Sequence, residues 1–227
     1  MKKEIKFKEP RIEELVAAHP DGVQRERLTR IMKELIAGFR FLRNYGLSAT
    51  FFGSSRVGPR NPSYQEAYKL AYQLSKQGFA VITGGGPGIM EAANKGAYDA
   101  GGQSAGLNIM LPKGQRINKY VKESEAFDYF FIRKMMLAFA SEVYIFFPGG
   151  FGTLDEFFEI ITLVQTKKMK PIPILLVGKS YWQPLVHWIE EELCQKRRTI
   201  DKEDMKIYHL AASAKEAFLM IQKMVKR

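Results

Sequence analysis

The stretch Phe147-Pro148-Gly149-Gly150-Phe151-Gly152-Thr153-Leu154-Asp155-Glu156 sets a carboxylate just behind a glycine turn. The β-rich run Val143-Tyr144-Ile145-Phe146-Phe147 leads into the turn, and an amphipathic helix follows it. Such a junction offers unpaired backbone N–H groups and the positive end of a helix dipole to an anion such as a phosphate. Without Cβ atoms, Gly149, Gly150 and Gly152 let the backbone turn tightly and approach a ligand closely. Glu156 falls one helical turn in, beside any group whose phosphate rests on that loop. A phosphate cradle next to a carboxylate is equipment for chemistry on a nucleotide or sugar phosphate. The same residues also carry a structural reading, because Thr153-x-x-Glu156 fits a capping box that satisfies orphan amides at a helix start.

A second glycine loop, Thr83-Gly84-Gly85-Gly86-Pro87-Gly88, follows a short apolar run at 79–83. It fails the dinucleotide spacing G-x-G-x-x-G, which would need glycine where Ile89 or Glu91 stands. The pattern G-x-x-x-x-G-K-[ST] is absent as well, so neither NAD nor ATP-type phosphoryl transfer is expected. His19, His187 and His209 lie far apart without ligand spacing, and Cys194 is the single cysteine. No metal site, disulfide or Ser-His-Asp arrangement follows from them, and no cofactor is expected.

The elements around these loops alternate. Helices are predicted at 11–18 and 22–44, the second with Leu28, Ile31, Leu35, Phe39 and Leu42 at steps of three and four. From residue 47 onward, strands at 48–53, 79–83, 104–111, 143–147 and 172–177 interleave with helices at 62–77, 89–100, 133–140, 154–167 and 182–196. Further strands are expected at 127–130 and 206–210, and a last helix at 213–225. In the helix after the second loop, Leu154, Phe157, Phe158, Ile161 and Val164 are expected to face the core. That spacing leaves Asp155, Glu156, Glu159 and Thr162 on the other side. The fold class is therefore α/β, a parallel sheet covered by helices on both faces, with ligands bound beyond the carboxyl ends of its strands. Residues 1–45 are expected to form an N-terminal helical extension and residues 46–227 the main domain.

At 227 residues and 46% hydrophobic content the chain can build one sizeable core. No apolar run reaches the roughly 20 residues that span a bilayer, and nothing resembles a secretory signal, so a cytoplasmic protein without membrane partners is expected. The net charge of +11 is uneven. Residues 1–45 carry 11 basic and 7 acidic groups, residues 46–195 carry 15 and 13, and residues 196–227 carry 9 and 4. The excess sits on the terminal segments, which points to solvated surfaces and away from specific nucleic-acid readout.

The run from Thr83 through Gly84-Gly85-Gly86-Pro87-Gly88-Ile89-Met90-Glu91 to Ala97 resembles the first signature of the Lonely Guy family, phosphoribohydrolases often mislabelled lysine decarboxylases. The second signature, P-G-G-x-G-T-x-x-E, matches from Pro148 to Glu156 without a gap. Gly106-Leu107-Asn108-Ile109 and Arg133-Lys134-Met135 resemble family segments in the expected order, and the resemblance covers about residues 48–180. It implies a modified Rossmann sheet, a homodimer or larger even oligomer, and hydrolysis of the N-glycosidic bond of a nucleoside 5′-monophosphate such as AMP or a cytokinin riboside monophosphate. It further implies Arg133 and Glu156 as catalytic residues. Substrate-binding positions fall on Lys134, Gly150, Phe151, Gly152, Thr153 and Thr162, with Gly149 and the first loop's Gly84, Gly85 and Gly86 beside them. One departure is that an acid expected shortly after Leu111-Pro112 is replaced by Lys113-Gly114-Gln115.

The chemistry is coherent on its own terms. Breaking a ribosyl–base bond builds oxocarbenium-like charge on the sugar, which a fixed carboxylate stabilises while orienting water. Arg133 either stabilises the departing base or fixes the ribose and phosphate. A non-catalytic nucleotide sensor would need the phosphate loop but not the Arg133–Glu156 pair. A decarboxylase using pyridoxal phosphate would need a Schiff-base lysine in a recognisable context, and the chain offers none.

Overall fold

The computed structural model describes residues 22–110 and 117–225. Strands β1 (Ser48–Phe52), β2 (Ala80–Thr83), β3 (Ser104–Ile109), β4 (Glu123–Phe127), β5 (Val143–Phe146), β6 (Ile174–Val177) and β7 (His209–Ala211) form one sheet. Its order is β4-β3-β2-β1-β5-β6-β7, and every neighbouring pair is parallel. The helices are α1 (Gly22–Leu42), α2 (Pro62–Lys76), α3 (Ile89–Asp99), α4 (Phe130–Ala138), α5 (Phe151–Gln165), α6 (Lys179–Trp188) and α7 (Ala214–Met224). α6 runs on as π-helical turns over Ile189–Lys196.

The inner strands read as unbroken apolar runs because helices cover both faces; β1, β2, β5 and β6 are buried at every position. Period-two alternation divides their side chains between two cores. Phe52, Ile82, Leu107, Phe146 and Leu176 belong to the core that also holds Phe41, Met136, Phe157 and Trp182. Ala49, Phe51, Val81, Ile145 and Val177 join Leu70, Ile89, Ala93 and Ile221 in the other.

From β1 the chain steps outward through β2, β3 and β4, then returns to place β5, β6 and β7 on the opposite side of β1. Connections leaving β1 and β5 therefore diverge, and a crevice opens between them at the carboxyl edge of the sheet. Three strand-end loops are stitched together there. Phe147 N–H donates to Phe52 O at 2.9 Å, Ser54 N–H to Pro148 O at 3.0 Å, and Ile89 N–H to Ser54 O at 2.9 Å. The first glycine loop rests on a buried polar network. Thr83 Oγ1 accepts from Gly85 N–H at 2.8 Å and donates to Asn94 Oδ1 at 2.7 Å. Asn118 Nδ2 donates to the carbonyls of Gly85 and Gly86 at 3.1 and 3.0 Å.

α1 packs against α4 and β4 and buries Phe41 in the main core. Its Glu34 accepts from Asp128 N–H at 3.0 Å and Tyr129 N–H at 3.3 Å, so it caps α4 from a distant part of the chain. The helix expected at 11–18 lies outside the described residues.

Several boundaries differ from the sequence expectations. The strand expected at 127–130 lies at Glu123–Phe127, where pairing with β3 overrides the poor strand propensity of Glu-Ser-Glu. The last strand is His209–Ala211, since Asp204–Lys206 forms a 3-10 turn. α4 and α5 each begin three residues before their expected starts.

Gly88 has φ +74° and ψ −129°, a region open essentially to glycine alone, and a Cβ there would strike the Ser54 carbonyl. Gly88→Ala is expected to lower Tm by several degrees, the scale of about 1–3 kcal/mol of backbone strain. Gly46→Ala, with open space around its Cβ, should leave Tm unchanged in the same thermal melts.

Candidate active site

The crevice between β1 and β5 is a cleft of about 900 Å³. Gly53-Ser54-Ser55-Arg56-Val57 after β1 form one wall, Gly84 and Met90 the next, and Phe130 and Arg133 of α4 another. The run from Pro148 to Leu154, with Glu156, closes it.

The cradle is built from an unfinished helix start. α5 has Gly150 as its N-cap and no side-chain cap. Leu154 N–H bonds to Gly150 O at 3.1 Å, while the amides of Phe151, Gly152 and Thr153 have no acceptor among the described residues. By contrast, Asn61 caps α2 and Ser213 caps α7 with side-chain oxygens. Orphan donors at a helix N-terminus facing a cleft make an anion site. The loop's shape is held from below: Tyr181 Oη donates to Gly149 O at 2.6 Å, and Gly178, at φ +99°, packs on Pro148.

This geometry removes the capping-box reading. Thr153 is the third residue of the helix and Glu156 the sixth, so Glu156 stands a turn too late to reach an N-cap amide. The expected core face of α5 holds except at one position: Phe157 is buried and Leu154, Ile161 and Val164 pack against the main core, joined by Thr153 and Ile160, while Phe158 is 36% exposed.

Arg133 is 6% exposed. Its Nε donates to Leu107 O at 2.8 Å, which anchors the guanidinium to the end of β3. A Cβ on Gly84 would collide with Nη2, so this glycine makes room for the arginine. Burial pulls the Arg133 pKa down from its ordinary value, and the nearby Glu156 opposes that shift. Glu156 is half-buried and lines the cleft beside Arg133. Burial pushes its pKa up to about 7; Asp155 and Glu159 push the same way, and Arg133 and Lys134 oppose them. Among the described residues neither charge is closed by an ion pair, so both remain available to a ligand.

Lys134 does not line the cleft. Its Nζ lies 2.7 Å from Asp155 Oδ2 and 3.4 Å from Glu159 Oε2, which ties α4 to α5. Burial opposes its charge, yet the two carboxylates hold its pKa above the ordinary value. Thr162 is exposed, with Oγ1 donating to Phe158 O at 2.6 Å. Of the first loop, Gly84 reaches the cleft, while Gly85 and Gly86 are held behind it through Asn118. Lys113, Gly114 and Gln115 lie outside the described residues. Sequence reasoning missed Ser54, Ser55, Arg56 and Tyr181. The first three carried a signal, since Gly53-Ser54-Ser55 is a third small-residue turn after a predicted strand. Among the described residues no three His, Cys, Asp or Glu side chains gather to hold a metal ion, and no helix is long and apolar enough to cross a membrane.

The raised pKa of Glu156 has a thermodynamic signature. Between its ordinary value of 4.5 and about 7, the folded protein holds this proton more tightly than the unfolded chain. The contribution of Glu156 to stability therefore falls as pH rises through that window and stays at its lower limit above it. Glu156→Gln removes the titration, so its Tm should match the parent near pH 4.5 and exceed it at pH 8. A lower variant Tm at pH 8 would mean that attraction to Arg133 outweighs burial.

A family model described as "possible lysine decarboxylase" matches residues 90–221. A protein of Oryza sativa subsp. japonica named as a probable cytokinin riboside 5′-monophosphate phosphoribohydrolase is 34% identical over 146 residues, 62% of this chain and 58% of that protein. A second rice protein, named cytokinin riboside 5′-monophosphate phosphoribohydrolase, is 28% identical over 171 residues, 73% of this chain and 69% of its own. The chain thus aligns to between half and seven-tenths of these relatives' lengths. Among solved structures, the molybdenum cofactor carrier protein of Chlamydomonas reinhardtii shares the fold with a TM-score of 0.60 and 21% identity, over 78% of this chain and 97% of that one. With the matched model, both glycine signatures on one cleft and a parallel sheet of this order, the chain belongs to the Lonely Guy family, the family that carries the description possible lysine decarboxylase.

Proposed function

We propose that the protein is a nucleoside 5′-monophosphate phosphoribohydrolase, an enzyme that hydrolyses the N-glycosidic bond of AMP or a cytokinin riboside monophosphate to free base and ribose 5-phosphate. The observation that carries this reading is the uncapped start of α5 opening into the same cleft as buried Arg133 and Glu156. The names of the rice relatives support the reaction class.

The 5′-phosphate would sit on the amides of Phe151, Gly152 and Thr153, where the helix dipole adds to their hydrogen bonds. That anchor aims the ribose at Glu156, a positioning effect worth several kcal/mol. As a carboxylate, Glu156 stabilises the positive charge growing at C1′ and orients the water that attacks it. Water gives its hydroxyl to C1′, the C1′–N bond breaks, and the base leaves with the bonding pair and takes up a proton. The free Nη groups of Arg133, carried on an arm fixed at Leu107 O, offer hydrogen bonds to the leaving base or the ribose. A nucleotide sensor would not need a carboxylate held near neutrality beside a buried arginine. Residues 46–227 are read as the catalytic unit and residues 1–45 as its helical extension. A cytoplasmic location is part of this reading, and the single cysteine suits a compartment in which disulfides do not form.

Base release from a panel of purine, pyrimidine and cytokinin monophosphates tests the reading. AMP or a close analogue should release base and adenosine should not, because a nucleoside forgoes the α5 anchor. Glu156→Gln should cost roughly a hundredfold or more in turnover, the scale of losing one electrostatic stabiliser. Release from no monophosphate would favour the sensor, and equal turnover of adenosine would remove the phosphate anchor.

A homodimer or larger even oligomer goes with this function. Exposed aromatic rings cluster on the elements that flank the cleft, with Phe130 at 53%, Phe131 at 56% and Phe151 at 93% exposure. Light scattering at micromolar concentration should return at least twice the chain mass of 26.0 kDa.

A further inference from the structure

The outer face of α2 and α3 carries a feature that the catalytic cleft does not use. Four tyrosine rings and four lysines, from these helices and from the segment just before β4, follow one another across it without a break. Lys76 Nζ lies 5.5 Å from the Tyr72 ring centre, and the Tyr72 and Tyr68 rings are 6.3 Å apart. Lys95 Nζ stands between Tyr68 and Tyr120, at 4.9 and 5.3 Å from their centres. Tyr120 meets Tyr98 edge-on at 5.9 Å, while Lys119 and Lys122 lie 5.2 and 5.5 Å from Tyr120 and Tyr98. Beside this track, Tyr68 and Tyr72 wall a cavity of about 610 Å³ between α2 and the start of α7, with Lys69, Gln73, Ser213 and Lys215 around it. None of these residues lines the cleft.

We propose that this track binds single-stranded nucleic acid without sequence preference. Charge comes first. Asp99 is paired to Lys95 and Glu66 to Lys69, but Lys76, Lys119, Lys122 and Lys215 have no ion pair among the described residues. Four uncompensated cations along one path suit a phosphate backbone. The rings supply the second element. Interleaved aromatics and cations are the means by which proteins hold unpaired bases, whose π-faces stack on the rings while phosphates meet the cations. A duplex hides those π-faces, so the rings favour a single strand. The cavity at the Tyr68–Tyr72 end is walled by the two rings, with Glu66 neutralised by Lys69 and with Lys215 left to meet an anion, which suits one unstacked base with its phosphate outside. Local charge along the track is invisible in a segment count, because its members are scattered from residue 68 to residue 215.

Fluorescence anisotropy with the full chain and 5′-labelled twelve-residue oligothymidylate, oligouridylate and a twelve-pair duplex tests the proposal. Both single strands should bind more tightly than the duplex. Tyr72→Ser/Tyr98→Ser should weaken single-strand binding at least tenfold, the scale of losing stacked bases. Lys76→Glu/Lys119→Glu should weaken it and flatten its salt dependence. Base release from AMP should be unchanged in both variants, so failure of this proposal and failure of the catalytic reading remain distinguishable. Should the double tyrosine variant not fold, Tyr98→Ser alone, at a half-exposed ring, should still weaken binding. The proposal is overturned if no single strand binds, if the duplex binds as tightly, or if anionic phospholipid vesicles bind and oligonucleotides do not. It is equally overturned if the tyrosine substitutions lower Tm but leave anisotropy unchanged, since the rings would then only staple helices together.

Discussion

The Arg133 guanidinium and the Glu156 carboxylate share one crevice, with no ion pair closing either among the described residues, and they set the terms for the structure around them. Burying a charge is costly unless its surroundings hold it, and each of these charges partly offsets the cost of the other. The pair is useful only while α4 and α5 keep their relative positions. Several contacts outside the cleft serve that end: the Lys134 bridge to Asp155 and Glu159, the Arg133 bond to the end of β3, and Gly84 leaving space for the guanidinium. Lys134, next to Arg133 in sequence, thus works on the frame around the cleft.

The helix starts follow the same division. α2 and α7 begin with side-chain caps, so their own Asn61 and Ser213 oxygens satisfy first-turn amides. α5 forgoes a cap that would contribute about 1 kcal/mol and keeps its donors open to the cleft. The strand order makes this arrangement possible, because the chain reverses direction across β1 and β5 and leaves their loops diverging. The hydrogen bonds around Ser54 then hold three loops together with little contribution from side chains.

Much of this was legible in the sequence, for physical reasons that can be named. Strands buried on both faces must be continuously apolar, so Ala80–Thr83 and Val143–Phe146 stood out, and the glycine turns after them marked the ligand edge. The start of α5 was misread because Phe151 and Gly152 have weak helix propensity, and the turn geometry that starts the helix at Phe151 is a tertiary property. That shift moved Glu156 out of capping range. β4 was expected too late, at 127–130, because its pairing with β3, not its residues, makes Glu123–Phe127 a strand. The loop after β1 was overlooked for lack of a long glycine run, although its backbone joins both other loops.

Glu34 on α1 caps the helix that bears Arg133, from nearly a hundred residues away in sequence. Phe41 and Tyr45 follow it into the main core. α1 is therefore mechanically continuous with the helix that carries Arg133. A change at Glu34 would be felt at the start of α4 without altering a residue that lines the cleft. Trimming the chain to residues 46–227 would take that brace away from α4.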